Sequence, residues 1–275
     1  MIRQDPDQTP LIISSTRNPL VKRIRGLRHR EARQSEGVVL VEGLRAIIEA
    51  VQVGAKLETL LYAPERLRSD LAKATVEQAG KRGTHLVQAT PEVLDDLSDR
   101  DVSQGIFAIA PRPQHVWDEV PLHISPFVLA IYEPQDPGNV GTITRTADGA
   151  GAAAVVTFGV QGADPFDPKA IRASMGSIFS VPVVELGKTE VALRALRERG
   201  LRLVGASDKG TVILWDASLA GPTVILLGNE RAGLPPNVLA QCDAVVRIPL
   251  TGHADSLNVA AAAAIFAFEA VRQRQ

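Results

Sequence analysis

Apolar positions along this chain alternate between two spacings. GVVLVEG at 37–43 is a short, nearly unbroken apolar run, and Leu44, Ile47, Ile48 and Val51 then recur at helical spacing until Gly54. Runs of the first kind predict buried strands, and recurrences of the second kind predict helices with one apolar face. Ahead of them, Asn18–Pro19 reads as a helix cap followed by the residue favoured at the first helical position. Leu20, Val21, Ile24 and Leu27 supply that helix with its buried stripe. Strands are also predicted at 57–62, 85–87 and 105–110, with helices at 67–81 and after Thr90–Pro91.

PRPQHVWDEVP at 111–121 carries three prolines and no periodicity, which predicts a linker. FVLAIY at 127–132 then begins a longer series, with strands at 154–157, 201–206, 224–228 and 245–248. Helices are predicted at 140–149, 169–175, 189–199, 235–242 and 257–271. Strands alternating with helices imply a parallel sheet covered on both faces. The expected architecture is α/β throughout: a flexible tail at 1–10, a small α/β domain up to residue 110, a linker at 111–124, and a larger α/β domain at 125–275.

Composition adds few constraints. Of 275 residues 45% are hydrophobic and 22% charged, ordinary for a globular chain with a sizeable core. No apolar run reaches the roughly 18 residues of a membrane span, and MIRQDPDQTP lacks the core of a secretory signal, so a cytoplasmic location is expected. One cysteine, Cys242, excludes an intrachain disulfide framework and fits a reducing compartment. The histidines (His29, His85, His115, His123, His253) are scattered without ligand-like spacing, so no metal is expected.

Charge distribution is more informative than the net charge of −1. Between residues 17 and 33 stand seven basic side chains, Arg17, Lys22, Arg23, Arg25, Arg28, Arg30 and Arg33, against the single acid Glu31. Such a cluster predicts a face that holds nucleic-acid phosphates. A solvated helix face is the plainer alternative.

Three segments of the second half carry candidate chemistry. DPGNVGTITR at 136–145 follows a strand with a Pro/Gly turn, placing Asn139 near a helix start and Arg145 about two turns in, at the sheet edge where ligands bind. ILLGNERAGL at 225–234 sets Gly228, Asn229 and Glu230 directly after a buried strand. A glycine there lets a ligand approach exposed backbone groups that suit an adenine edge. RIPLTGHADSLNVAAA at 247–262 runs from a strand end through a polar turn to Ser256, a good cap for the alanine-rich helix that follows.

In this order, and over 127–272, these segments resemble the three motifs of the SpoU (TrmH-type) family of RNA ribose 2′-O-methyltransferases in the SPOUT superfamily. DPKAIRASMGSIFSVP at 167–182 resembles a family segment on the substrate side. NPLVKRIRGLRHREARQSEGVVLVEG at 18–43 resembles the ribosomal-protein-like RNA-binding domain that precedes the catalytic domain in many members. The resemblance implies a deep trefoil knot, an exception to the rule against knotted chains, S-adenosylmethionine bound in that knot, and a homodimer with its active site near the subunit interface. It assigns cofactor contacts to Leu227, Gly228, Ile248, Leu250 and Leu257. Asn139, Arg145, Glu230, Ser256 and Asn258 become the catalytic and positioning set, with Asn139 and Glu230 holding Arg145 and the sugar. His253 and Asp255 depart from the small or neutral residues usual before the motif-three serine.

The expected reaction is methylation of a ribose in structured RNA, foremost 23S ribosomal RNA, without a metal. A tRNA substrate, or a non-catalytic RNA-binding or ribosome-assembly role on the same fold, is the alternative. A nucleotide-dependent oxidoreductase is disfavoured because GNVGTITRTADGAG lacks the G-x-G-x-x-G order.

Overall fold

The computed structural model describes residues 12–99, 102–122 and 127–275. The tail expected at 1–10 and the last residues of the expected linker, 123 and 124, lie outside them. Contacts divide the chain into two compact units between Arg112 and Pro113.

The first unit runs β1 (Ile12–Ile13), α1 (Pro19–Gly26), α2 (Arg30–Glu36), β2 (Val38–Glu42), α3 (Leu44–Gln52), β3 (Thr59–Tyr62), α4 (Asp70–Lys81), β4 (His85–Ala89), α5 (Pro91–Leu97) and β5 (Ile106–Pro111). Its sheet has the order β1-β4-β3-β5-β2, with β5 antiparallel to both neighbours and the other pairs parallel. Asn18 caps α1 by accepting the Leu20 N–H at 2.8 Å, and Gly54, at φ +79°, follows the end of α3. Val21, Ile24 and Leu27 pack into a core with Leu40, Leu61 and Phe107. The helical spacing had marked these residues. The pairing of β1 with β4, and α2 itself, are additions that no periodicity announced.

The second unit runs β6 (Phe127–Tyr132), α6 (Pro137–Gly149), β7 (Ala154–Phe158), α7 (Pro168–Ala173), β8 (Val183–Glu185), α8 (Thr189–Glu198), β9 (Arg202–Ala206), β10 (Val212–Ile213), β11 (Thr223–Leu227), α9 (Pro236–Leu239), β12 (Ala244–Arg247) and α10 (Val259–Arg274). Seven parallel strands stand in the order β10-β12-β9-β11-β6-β7-β8. β11 sits between β9 and β6 and is buried along its whole length, which is why TVILL is apolar without alternation. Because the strands are parallel, the loops after β6, β9, β11 and β12 gather at one carboxyl edge of the sheet.

The 111–121 segment is not a free tether. Pro111 completes β5 opposite Val38, while Trp117 and Val120 are buried in the core of the second unit. From α8, Ala195 accepts the Trp117 indole N–H at 3.1 Å. Arg199 beyond it donates to the carbonyls of Trp117 at 2.5 Å and Val120 at 2.7 Å, its guanidinium 5.3 Å from the indole centroid. One aromatic and one arginine anchor the stretch, and neither contributes to periodicity.

Candidate active site

The three motifs meet at the carboxyl edge of the parallel sheet. β11 delivers the 228–234 turn, in which Asn229 and Gly233 exchange backbone hydrogen bonds of 3.2 and 2.9 Å. Asn229 Oδ1 accepts the Arg231 and Ala232 N–H groups, and its Nδ2 donates to the Glu133 carbonyl at 2.8 Å. The turn is thereby tied to the end of β6 and presents Glu230 to the start of α6. Glu230 accepts the backbone N–H of Gln135 at 2.8 Å, the N–H of Asp136 at 3.1 Å and the Asn139 amide at 2.9 Å. Asn139 Oδ1 in turn accepts the Asn258 amide at 3.2 Å, and Asn258 Oδ1 caps α10 through the N–H groups of Ala260 and Ala261. One hydrogen-bonded chain, Glu230–Asn139–Asn258, thus fixes the three segments to one another.

Burial pushes the Glu230 carboxyl up, but the Asn139 amide and the N–H groups of Gln135 and Asp136 outweigh it and leave it below its usual value. Beside it Asp136 caps α6 at the Gly138 N–H (2.7 Å) and pairs with Lys169 at 2.8 Å. The lysine holds the Asp136 carboxyl below its ordinary range against the opposing effect of burial. Lys169 lies in the first turn of α7, which packs tightly on α6. A Cβ at Gly141 would lie 2.9 Å from the Ala173 Cβ and closer still to the Ala170 carbonyl oxygen.

A cavity of about 340 Å³ opens beside this network, with Leu227, Gly228, Ile248, Leu250 and Leu257 all in its lining. Glu230 and Ser256 reach it as well. Sequence reasoning missed the contribution of the loop after β9, where Ser207, Asp208 and Lys209 join the wall. It also missed Asn229 and Asp136, whose only signal was their place inside motifs already marked.

Several expected roles change. Gly228 borders the cavity, yet its missing side chain makes room for the chain's own turn: a Cβ there would lie 2.6 Å from the Gly233 Cα and closer still to the Gly233 carbonyl carbon and the Leu234 nitrogen. Ser256 is exposed and does not cap α10. The helix begins at Val259 and Asn258 is its cap. Arg145 stands about 9 Å further along α6 than Asn139 and about a third of a turn round. It is exposed, without a side-chain partner among the described residues, so Asn139 and Glu230 hold each other and not Arg145.

The basic cluster of the first unit is also rearranged. Arg23 bonds Glu36 at 2.7 Å and Glu58 at 2.5 Å, Arg25 bonds Asp96 at 2.5 Å, and Arg28 bonds Asp99 and the Leu97 carbonyl. Arg33 is buried, donating to the carbonyls of Leu27 at 3.0 Å and Arg28 at 2.8 Å. Arg17, Lys22 and Arg30 are exposed, as is Arg25 despite its pairing.

Comparison with known proteins follows the same division of the chain. The profile of the SpoU rRNA Methylase family matches residues 126–268, and that of the MRM3-like substrate binding domain matches residues 18–108. The 23S rRNA (uridine(2479)-2′-O)-methyltransferase of Streptomyces viridochromogenes is 35% identical over 90% of this chain and 87% of its own length. The 23S rRNA (guanosine(2553)-2′-O)-methyltransferase RlmP of Bacillus subtilis is 31% identical over 93% and 97%. Among solved structures, an AdoMet-bound rRNA methyltransferase from Sinorhizobium meliloti superposes with a TM-score of 0.84 at 33% identity, covering 95% of this chain and 97% of that one. Motif geometry, family profile and relatives matched over nearly their whole length agree: the chain belongs to the SpoU rRNA methylase family.

Proposed function

We propose that this protein transfers a methyl group from S-adenosylmethionine to a ribose 2′-hydroxyl of 23S ribosomal RNA. The observation that carries the reading is the Glu230–Asn139–Asn258 chain beside the cavity, with Glu230 in the cavity wall. Support comes from the relatives, which are named 23S rRNA 2′-O-methyltransferases, and from neighbours solved with AdoMet.

The cavity fits the cofactor on its own terms. Its volume lies within the roughly 300–1,000 Å³ of small-molecule sites, and Leu227, Ile248, Leu250 and Leu257 offer an apolar wall for a flat base beside the polar Glu230 and Ser256. When bound, S-adenosylmethionine supplies an electrophilic methyl on a sulfonium. The protein's part is positioning. Glu230, saturated with donors and held below its usual value, is an anchor and a poor proton acceptor at neutral pH. Arg145, permanently charged with free donors, orients the ribose hydroxyl or its phosphate and stabilises developing oxyanion charge.

The protein acts as a cytoplasmic homodimer. The exposed Phe268 of α10, at 53% exposure, supports a second copy docking there, and Arg145, without a side-chain partner among the described residues, fits a site completed across that interface. β12 lies between β9 and β10, a strand inserted among earlier ones, which supports the trefoil knot. The amino-terminal unit grips the RNA.

Mapping 2′-O-methylated nucleotides in total RNA from cells with and without the gene tests the reading. One 23S position should lose its methyl group. Loss at a tRNA position would move the substrate, and no loss anywhere would favour an assembly role.

A further inference from the structure

The loop after β7 is held more rigidly than an exposed turn requires. Val160 at its tip is 73% exposed, the highest value among the large apolar side chains of the described residues. Its backbone is nevertheless fixed on every side. The Glu133 carboxylate accepts the N–H groups of Val160 at 2.9 Å and Gln161 at 3.1 Å, Ala163 donates to the Pro134 carbonyl at 2.7 Å, and Gly159 donates to the Gly187 carbonyl at 2.7 Å. Glu133 does this from φ +40°, in the left-handed region that a residue with a side chain adopts at a cost. Gly159 lacks the Cβ that would lie 2.9 Å from Glu133 Oε1. The Glu133 carbonyl meanwhile accepts Asn229 Nδ2, so one residue ties this loop to the turn that carries Glu230.

Sheet order places the loop relative to the reaction. Along the carboxyl edge β12, β9 and β11 border the cavity, β11 and β6 carry the Glu230–Asn139 pair, and β7 comes next, beyond β6 from the cavity. With the methyl donor in the cavity and the ribose at the pair, the β7 loop lies on the side of the pair away from the cavity. We propose that Val160 and Gln161 form the element that reads the target nucleotide. Val160 packs on the face of the base, and the exposed Gln161 amide meets a base edge with one donor and one acceptor. Glu133 is the positioning residue that keeps the loop in place. This inference rests on the proposed methyl transfer to RNA.

The test uses the full chain with S-adenosylmethionine and a 23S rRNA transcript. Val160→Asp should raise KM for RNA by about tenfold, the worth of one buried valine side chain. Cofactor Kd by calorimetry, Tm and oligomeric state should stay as in the wild type. Glu133→Ala should raise KM in the same way, and Glu133→Gln, whose amide oxygen still accepts both N–H groups, should restore it. An unchanged KM in Val160→Asp, or a shift in oligomeric state in its place, would overturn the inference while leaving the methyl transfer intact. A wild-type protein that binds the cofactor and methylates no rRNA would overturn both.

Discussion

In the basic helices of the amino-terminal unit, cations meet acids brought from far along the chain: Arg23 reaches Glu58 and Arg25 reaches Asp96. At the carboxyl edge of the larger sheet the arrangement is reversed, because Glu230 is saturated by neutral donors while the arginine in motif one has no side-chain partner among the described residues. Much of a cluster of like charges in sequence is therefore tied into ion pairs within its own unit, while the motif-one arginine keeps its donors for chemistry. Counting charges in a window of sequence misjudges both regions, since the partners that decide availability lie outside the window.

The sharpest break of this contrast is Arg145→Ala. If the free guanidinium acts on the ribose, kcat should fall by roughly 10²–10³, as for other positioned transition-state donors, with cofactor affinity within a few fold. Single-turnover rates beside calorimetry decide it, and a near-normal rate in a folded variant removes Arg145 from the mechanism.

Gly228→Ala tests the scaffolding on the cavity side. The added methyl meets the Gly233–Leu234 backbone, so the variant should lose about 1–3 kcal/mol of stability through overpacking. Denaturant titration would show it. A stable variant with weakened cofactor binding would instead restore the glycine to a direct ligand role.

Within the basic cluster the contrast predicts inequality. Removing Arg17 and Lys22 should flatten the log–log salt dependence of RNA binding by about 0.7–0.9 per lost phosphate contact. Arg25→Ala, already paired with Asp96, should flatten it less. Equal slopes for all three would show that the internal ion pairs open on RNA.

The smallest effect concerns pH. Glu230 titrates below its usual 4.5 in the folded protein, so the stability it contributes is fully present above 4.5 and is lost as pH falls through the lower folded value. Comparing wild type with Glu230→Gln by thermal melts, the difference should be flat from neutrality down to about that point and shrink only in more acid solution. A difference that shrinks near neutrality would mean that the carboxyl is raised, and would reopen it as a proton acceptor.

Much of the fold could be read in advance for a physical reason. Strands such as β11, buried on both faces, must be apolar throughout, and helices such as α1 need one stripe and a cap, so pattern alone marks them. β1 and β10 escaped notice because two-residue strands carry no period. The Pro-rich stretch at 111–121 looked unstructured because its anchor is one tryptophan and a distant arginine.

By itself, then, the sequence determined the element types, the α/β class and the three motif segments, because burial and backbone geometry restrict residue choice locally. Only the tertiary structure decided which side chains answer one another: that Glu230 faces Asn139 while Arg145 stands apart, that Asn258 and not Ser256 caps α10, that Gly228 accommodates its own turn, and that most of the arginine cluster is paired. Hydrogen bonds and ion pairs act over a few ångströms of space, and the folds that bring residues 91 or 119 positions apart into that range leave no mark on the residues between them.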